Sequence, residues 1–166
     1  MSEKDAQASG INIASGYAWI NESFNKMPNV NLTLITGAGA IMSNVIDYSK
    51  WAKSLIDSSG PLSSTAHKAI RTGRIITPEY PWSTGEVTYA LGWIKGVYKG
   101  YEFIMHGGAT DAFGTNIIMF PALKYGVVAF ANTADSGNAA IEVLSWNLIN
   151  DKLKVPEDDR YDHVKQ

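Results

Sequence analysis

His106-Gly107-Gly108-Ala109 is the stretch of this chain best suited to chemistry. It joins a titratable side chain to two residues with no Cβ. An apolar run, Phe103-Ile104-Met105, leads into it, and Thr110-Asp111-Ala112-Phe113-Gly114 leads out to a second run, Asn116 to Phe120. A strand ending in His and followed by Gly-Gly leaves room for a ligand or another backbone to lie close. The same pattern also fits a plain turn or bulge. Two aromatic residues are candidates to lie near a ligand: Trp82, in a long loop, and Trp93, on the strand preceding that of His106. Trp19, Trp51 and Trp146 read as packing residues. Asp111 is placed to touch a substrate or simply to face solvent. His67 and His163 read as surface residues, and Tyr17 and Asn132 as structural hydrogen-bonders.

Composition narrows the chemistry. The chain has 166 residues, 45% hydrophobic and 18% charged, enough for one globular domain with a real core. A net charge of −2 offers no footprint for nucleic acid. There is no Cys, which removes disulfides, thiolate metal sites and a Cys nucleophile. The three His are scattered, so neither a metal nor another cofactor is expected. No apolar run approaches the roughly 20 residues of a membrane span. The opening Met1-Ser2-Glu3-Lys4-Asp5 is polar and unlike a signal peptide.

The elements that must position these residues follow from periodicity. Tyr17–Ile20 reads as a strand and Asn21 to Asn31 as loop. Leu32 to Ile35 runs into Thr36-Gly37-Ala38-Gly39-Ala40, whose glycines would let a backbone pass close. A phosphate cradle is not indicated, because the third glycine of that fingerprint is absent. Ser43 is the expected cap of an amphipathic helix over 43–57, with Asp47 in its first turns. A shorter helix starts at Ser63 or Ser64 and stops by Gly73, and 76–88 form a long loop. The period then changes to two. Tyr89 to Gly96, Tyr101 to His106, Gly114 to Phe120 and Tyr125 to Asn132 read as strands joined by short turns. A last helix covers Gly137 to Lys152, capped by Asp135 or Ser136. The expected fold is α+β, an antiparallel meander of about four strands packed against helices, over residues 14–155 with flexible tails at 1–13 and 156–166.

In order, Tyr89-Ala90-Leu91-Gly92-Trp93, His106-Gly107-Gly108-Ala109-Thr110, Phe113-Gly114, Phe120-Pro121, Gly126-Val127-Val128 and Ala131-Asn132 resemble the C-terminal part of the serine β-lactamase and penicillin-binding-protein-like superfamily. The likeness is to class C enzymes and their esterase and peptidase relatives. Ala14-Ser15-Gly16-Tyr17 and Gly37-Ala38-Gly39-Ala40-Ile41-Met42-Ser43 extend it upstream. In that family a Lys-Thr-Gly or His-x-Gly motif lies on a strand beside the active site, and here it falls on His106, Gly107 and Gly108. The resemblance implies that His106 faces the substrate as a cation or donor. Gly107 and Gly108, with Thr110 and Trp93 nearby, would form the substrate-binding wall. The Ala109 N–H would be an oxyanion-hole donor, a contact worth roughly 3–4 kcal/mol in the transition state.

The family's other motifs, Ser-x-x-Lys and Tyr-x-Asn or Ser-x-Asn, belong upstream. Ser23-Phe24-Asn25-Lys26 matches the first in form, but Pro28 follows it closely where a helix should run. Ser145-Trp146-Asn147 and Arg71-Thr72-Gly73 mimic other motifs at the wrong places in the order. Ala134 and Gly137 stand where class C enzymes carry asparagines for a β-lactam carboxylate, so ester, amide or D-aminoacyl peptide substrates are as consistent as β-lactams. The expectation is part of a serine hydrolase acting on small-molecule or peptide acyl substrates. Its nucleophile would come from a missing N-terminal portion or a second chain, self-association included, and the isolated chain would be inactive. The alternative is a non-catalytic truncated relative acting as an interaction module.

Overall fold

The computed structural model describes residues 8–161, apart from Glu79, Asp111, Ala134 and Asp135. Its centre is a six-stranded antiparallel sheet: β3 (Ile75–Ile76), β4 (Thr88–Tyr89), β5 (Ile94–Tyr98), β6 (Tyr101–Thr110), β7 (Phe113–Phe120) and β8 (Tyr125–Ala131). Spatial order equals chain order, so the sheet is a meander. The expected α+β architecture is present. The strand count differs because β3 and β4 have only two residues each, too few to show a period.

Two helices cover the sheet. Helix α2 (Val45–Asp57) lies on one face and α4 (Ser136–Leu153) packs against β7 and β8. One core holds Trp82, Tyr98, Phe103, Met105, Ile118, Phe120 and Trp146. The other holds Ala52, Leu55, Ala90, Trp93, Ile104, Ile117 and Met119. Successive residues Phe103 and Ile104 thus point to opposite cores, as strand alternation requires. The cap of α2 is Asn44, not Ser43: the Asn44 side chain accepts from Asp47 N–H at 2.9 Å. Helix α3 (Ser64–Arg71) is capped by Ser63 and carries His67, which is buried rather than on the surface, its Nε2 3.1 Å from Ser59 O.

Four further readings are corrected. Asn21 to Asn31 is not all loop, because β1 (Tyr17–Ile20) pairs with β2 (Ser23–Lys26) as a hairpin. Its turn residues Asn21 and Glu22 both have positive φ, the geometry of a two-residue primed turn without its usual glycine. The expected strand Tyr89–Gly96 is broken by a turn at Gly92 (φ 75°) into β4 and β5. Residues 33–39 form a 3-10 turn and one helical turn, α1 (Thr36–Gly39), and nothing in the described chain lies close to Gly37. Residues 156–161 are anchored rather than loose: Arg160 pairs with Asp151 at 2.8 Å, and Lys99 Nζ donates to Asp159 O at 3.0 Å. Asp135 and His163 lie outside the described residues.

Strand β8 ends the sheet and has β7 as its only strand partner among the described residues. Beside it runs a groove of about 680 Å³, lined by Val45, Ala52 and Ile56 of α2 and by Tyr125, Gly126 and Val128 of β8. In the segment leading into α2 and in its first turn the apolar side chains of Leu34, Ile35, Ile41, Met42, Val45 and Ile46 are exposed.

Candidate active site on strand β6

The glycine pair does not end its strand. β6 continues through Gly107 and Gly108 to Thr110, held by β7 in the register His106↔Ile117, Gly107↔Asn116, Gly108↔Thr115 and Ala109↔Gly114. On its other side the pairing stops earlier, at Met105↔Ile94, because the chain before Ile94 turns away. Residues 106–110 therefore form a strand paired along one side and open along the other. Gly107, Gly108 and Ala109 are exposed there. Such an edge offers backbone N–H and C=O groups to an extended acyl or peptide ligand.

The two glycines differ. A Cβ on Gly108 would sit 2.6 Å from Thr115 Oγ1, so neighbouring packing explains its absence. A Cβ on Gly107 would meet only Thr115 O at 3.7 Å, an ordinary contact. Among the described residues nothing requires glycine at 107, and its bare backbone leaves the open side clear. The end of the strand is braced from below. Ala112 is buried, and Gly16 approaches so closely that a Cβ there would lie 2.4 Å from Ala112 Cβ. Tyr17 N–H donates to Asn132 O at 2.9 Å and Asn132 Nδ2 to Ser15 O at 3.1 Å. The Ala-Ser-Gly-Tyr segment thus clamps the β6–β7 turn to the end of β8.

His106 is half-buried and stands opposite Ile117 in the register. Its Nε2 lies 2.9 Å from the Tyr89 hydroxyl, and its Nδ1 bonds the Gly107 carbonyl. Tyr89 had no role in the sequence reading. Its only signal was its place at the head of Tyr-Ala-Leu-Gly-Trp, whose fold-back could not be read from spacing. Thr110 is half-buried at the last register pair, with Phe113.

The two aromatic candidates lie in the cores. Trp93 is 9% exposed and packs with Ala52, Ala90 and Ile104, so a ligand could reach it only by displacing that packing. Trp82 is buried 4.3 Å, centroid to centroid, from Trp146. Asp111 and Ala134 are outside the described residues. The motif mimics are all placed structurally. Ser23 to Lys26 is an exposed strand, Ser145 is fully buried with its hydroxyl on Ile141 O at 2.6 Å, and Thr72 ends α3. Among the described residues no cluster of three or more His, Asp or Glu has the arrangement to hold a metal ion.

An antiparallel sheet flanked by helices is the α+β architecture of a β-lactamase-like domain. The chain belongs to the Beta-lactamase family, whose model matches residues 2–145. It is 39% identical, over 99% of its length, to an unguisins hydrolase of Aspergillus campestris. It covers 32% of that protein, so it spans about a third of the length of the relative it matches. Its fold is similar to the octameric penicillin-binding protein homologue from Pyrococcus abyssi (TM-score 0.77, 20% identity, 91% of this chain and 33% of that one). It is also similar to a class C β-lactamase (TM-score 0.61, 20% identity, 82% and 42%).

Proposed function

We propose that this chain is the C-terminal portion of a serine hydrolase working through an acyl-enzyme on amide, ester or β-lactam bonds. The observation that carries this reading is the half-open β6 edge, with exposed Gly107, Gly108 and Ala109 next to His106. His106 and the Ala109 N–H are the catalytic groups of the proposal, and Gly107, Gly108 and Thr110 line the acyl group. Hydrolase activity in the relative from Aspergillus campestris supports the reaction class. Residues 14–155 are the domain fragment that does this.

The nucleophile must come from outside. The one Ser-x-x-Lys of the sequence is an exposed strand. The relative is about three times as long, which leaves a large portion to supply it. The free edge of β8, the groove beneath α2 and the apolar residues 34–46 are the surface that portion would cover, by adding a strand to the sheet.

The test is turnover of nitrocefin and of p-nitrophenyl esters and anilides, first by the chain alone and then after mixing with the N-terminal two-thirds of the A. campestris relative. No turnover is expected from the isolated chain, and turnover is expected from the mixture. Activity of the chain alone would overturn the proposal. In the active mixture His106→Ala is expected to lower kcat by roughly ten- to a hundredfold, as loss of one positioned donor does. A mixture that binds tightly but hydrolyses nothing would favour the non-catalytic interaction module.

A further inference from the structure

His106 has both ring nitrogens engaged, and its partners differ in kind. Nδ1 bonds the carbonyl oxygen of Gly107. A carbonyl only accepts, so Nδ1 must carry a proton whether the ring is neutral or charged. In the neutral ring Nε2 is then the bare nitrogen, able only to accept. The group facing it is the Tyr89 hydroxyl, 2.9 Å away, with the two rings edge to face and their centroids 5.8 Å apart. The opposite arrangement, with the proton on Nε2, would set the Nδ1 lone pair against the carbonyl lone pairs. A hydroxyl can donate or accept and turns to suit, so only the first arrangement satisfies every group.

We propose that Tyr89 is a positioning residue: the Gly107 carbonyl holds neutral His106 in the Nδ1–H tautomer, and the Tyr89 hydroxyl turns to donate to its bare Nε2. This rests on the reading of His106 as the group beside the substrate, and it changes what that group presents. Neutral His106 has no N–H left for a substrate. What it and Tyr89 together present is a lone pair on the phenolic oxygen. When the ring takes up a proton, Nε2–H donates to that oxygen and the phenolic hydrogen is freed to turn outward. The donor that reaches a substrate oxygen is then the Tyr89 hydroxyl, held by the imidazolium behind it. The fold supplies the contact by the turn at Gly92, which sets Tyr89, the last residue of β4, alongside Ile94 of β5.

The test is nitrogen NMR of the chain labelled in its histidine rings, at a pH of about 9, where an ordinary His is neutral. A His106→Gln spectrum assigns the signals. Wild type is expected to show His106 protonated at Nδ1 and bare at Nε2. In Tyr89→Phe His106 is expected to stay protonated at Nδ1, while its bare Nε2, having lost its donor, gives a signal moved downfield. A wild-type ring protonated at Nε2, or an Nε2 signal unmoved in the variant, overturns the proposal. If Tyr89→Phe does not fold, fluorinated tyrosine throughout the chain serves instead. It makes the phenol a stronger donor, so the His106 Nε2 signal must move, and a fixed signal also overturns the proposal. No turnover is read, so failure here leaves the hydrolase proposal standing, and an inactive mixture leaves this one standing.

Discussion

The Tyr98 hydroxyl donates to Asn150 Oδ1 across 2.6 Å, with each residue 1% exposed. This bond ties β5 to α4 through the larger core, where the Tyr98 ring also meets Trp82 and Trp146. It spans 52 residues of sequence and fixes the helix on the sheet. Tyr98→Phe keeps the ring but leaves the Asn150 oxygen buried without its donor. The expected loss is about 1–3 kcal/mol, read as a lower urea midpoint with an unchanged slope.

Alkaline pH should weaken the same core. Burial raises the Tyr98 hydroxyl above its ordinary value, and it does the same for Tyr48 on α2. The folded chain therefore holds these protons more tightly than the unfolded one. The resulting stability is fully present below about pH 10, the ordinary tyrosine value, and is lost as pH rises through the raised values. Thermal scans should show Tm falling above about pH 10. Tyr48→Phe should make that fall shallower; an identical fall would remove Tyr48 as a contributor.

Gly107 and Gly108 should respond differently to the same substitution. Gly108→Ala drives a methyl into the Thr115 hydroxyl and should lower Tm, and a second change, Thr115→Ala, should restore much of it. Gly107→Ala meets no such obstacle and should leave Tm nearly unchanged. Its effect should fall instead on substrate binding in the complemented enzyme, as a raised KM.

Trp93 should behave as a core residue. Trp93→Ala is expected to cost about 3–5 kcal/mol, the range for deleting a buried large aromatic ring, measured by urea unfolding. A variant as stable as wild type would mean that the indole does not support the core, and would restore it as a residue free to meet a ligand.

The meander was legible because β6 and β7 carry short apolar runs, Phe103 to Met105 and Ile117 to Phe120, and short turns join the strands. Where turns lack their usual residues, the reading failed. Asn21-Glu22 makes a tight hairpin without glycine, so β2 was taken as loop. Gly92, placed inside a strand, is where the chain reverses. The glycines after His106 suggested a strand end, but glycine can be extended when a neighbour such as β7 fixes its register. The order of motifs was enough for the family and for the candidate strand. It could not show that Trp93 turns into the core or that Tyr89 reaches His106, because both depend on the fold-back at Gly92 and not on spacing.

The open flank of β8 bears on how long the chain lasts in a cell. From Tyr125 to Ala131 it carries no charge and no proline, the features that usually keep a sheet edge from recruiting other chains. Without a partner it is a ready target for chaperones and proteases, which act on exposed apolar strands. The amount of this chain that persists would therefore follow the supply of whatever covers that edge, so that each is kept in step with the other by degradation of the excess.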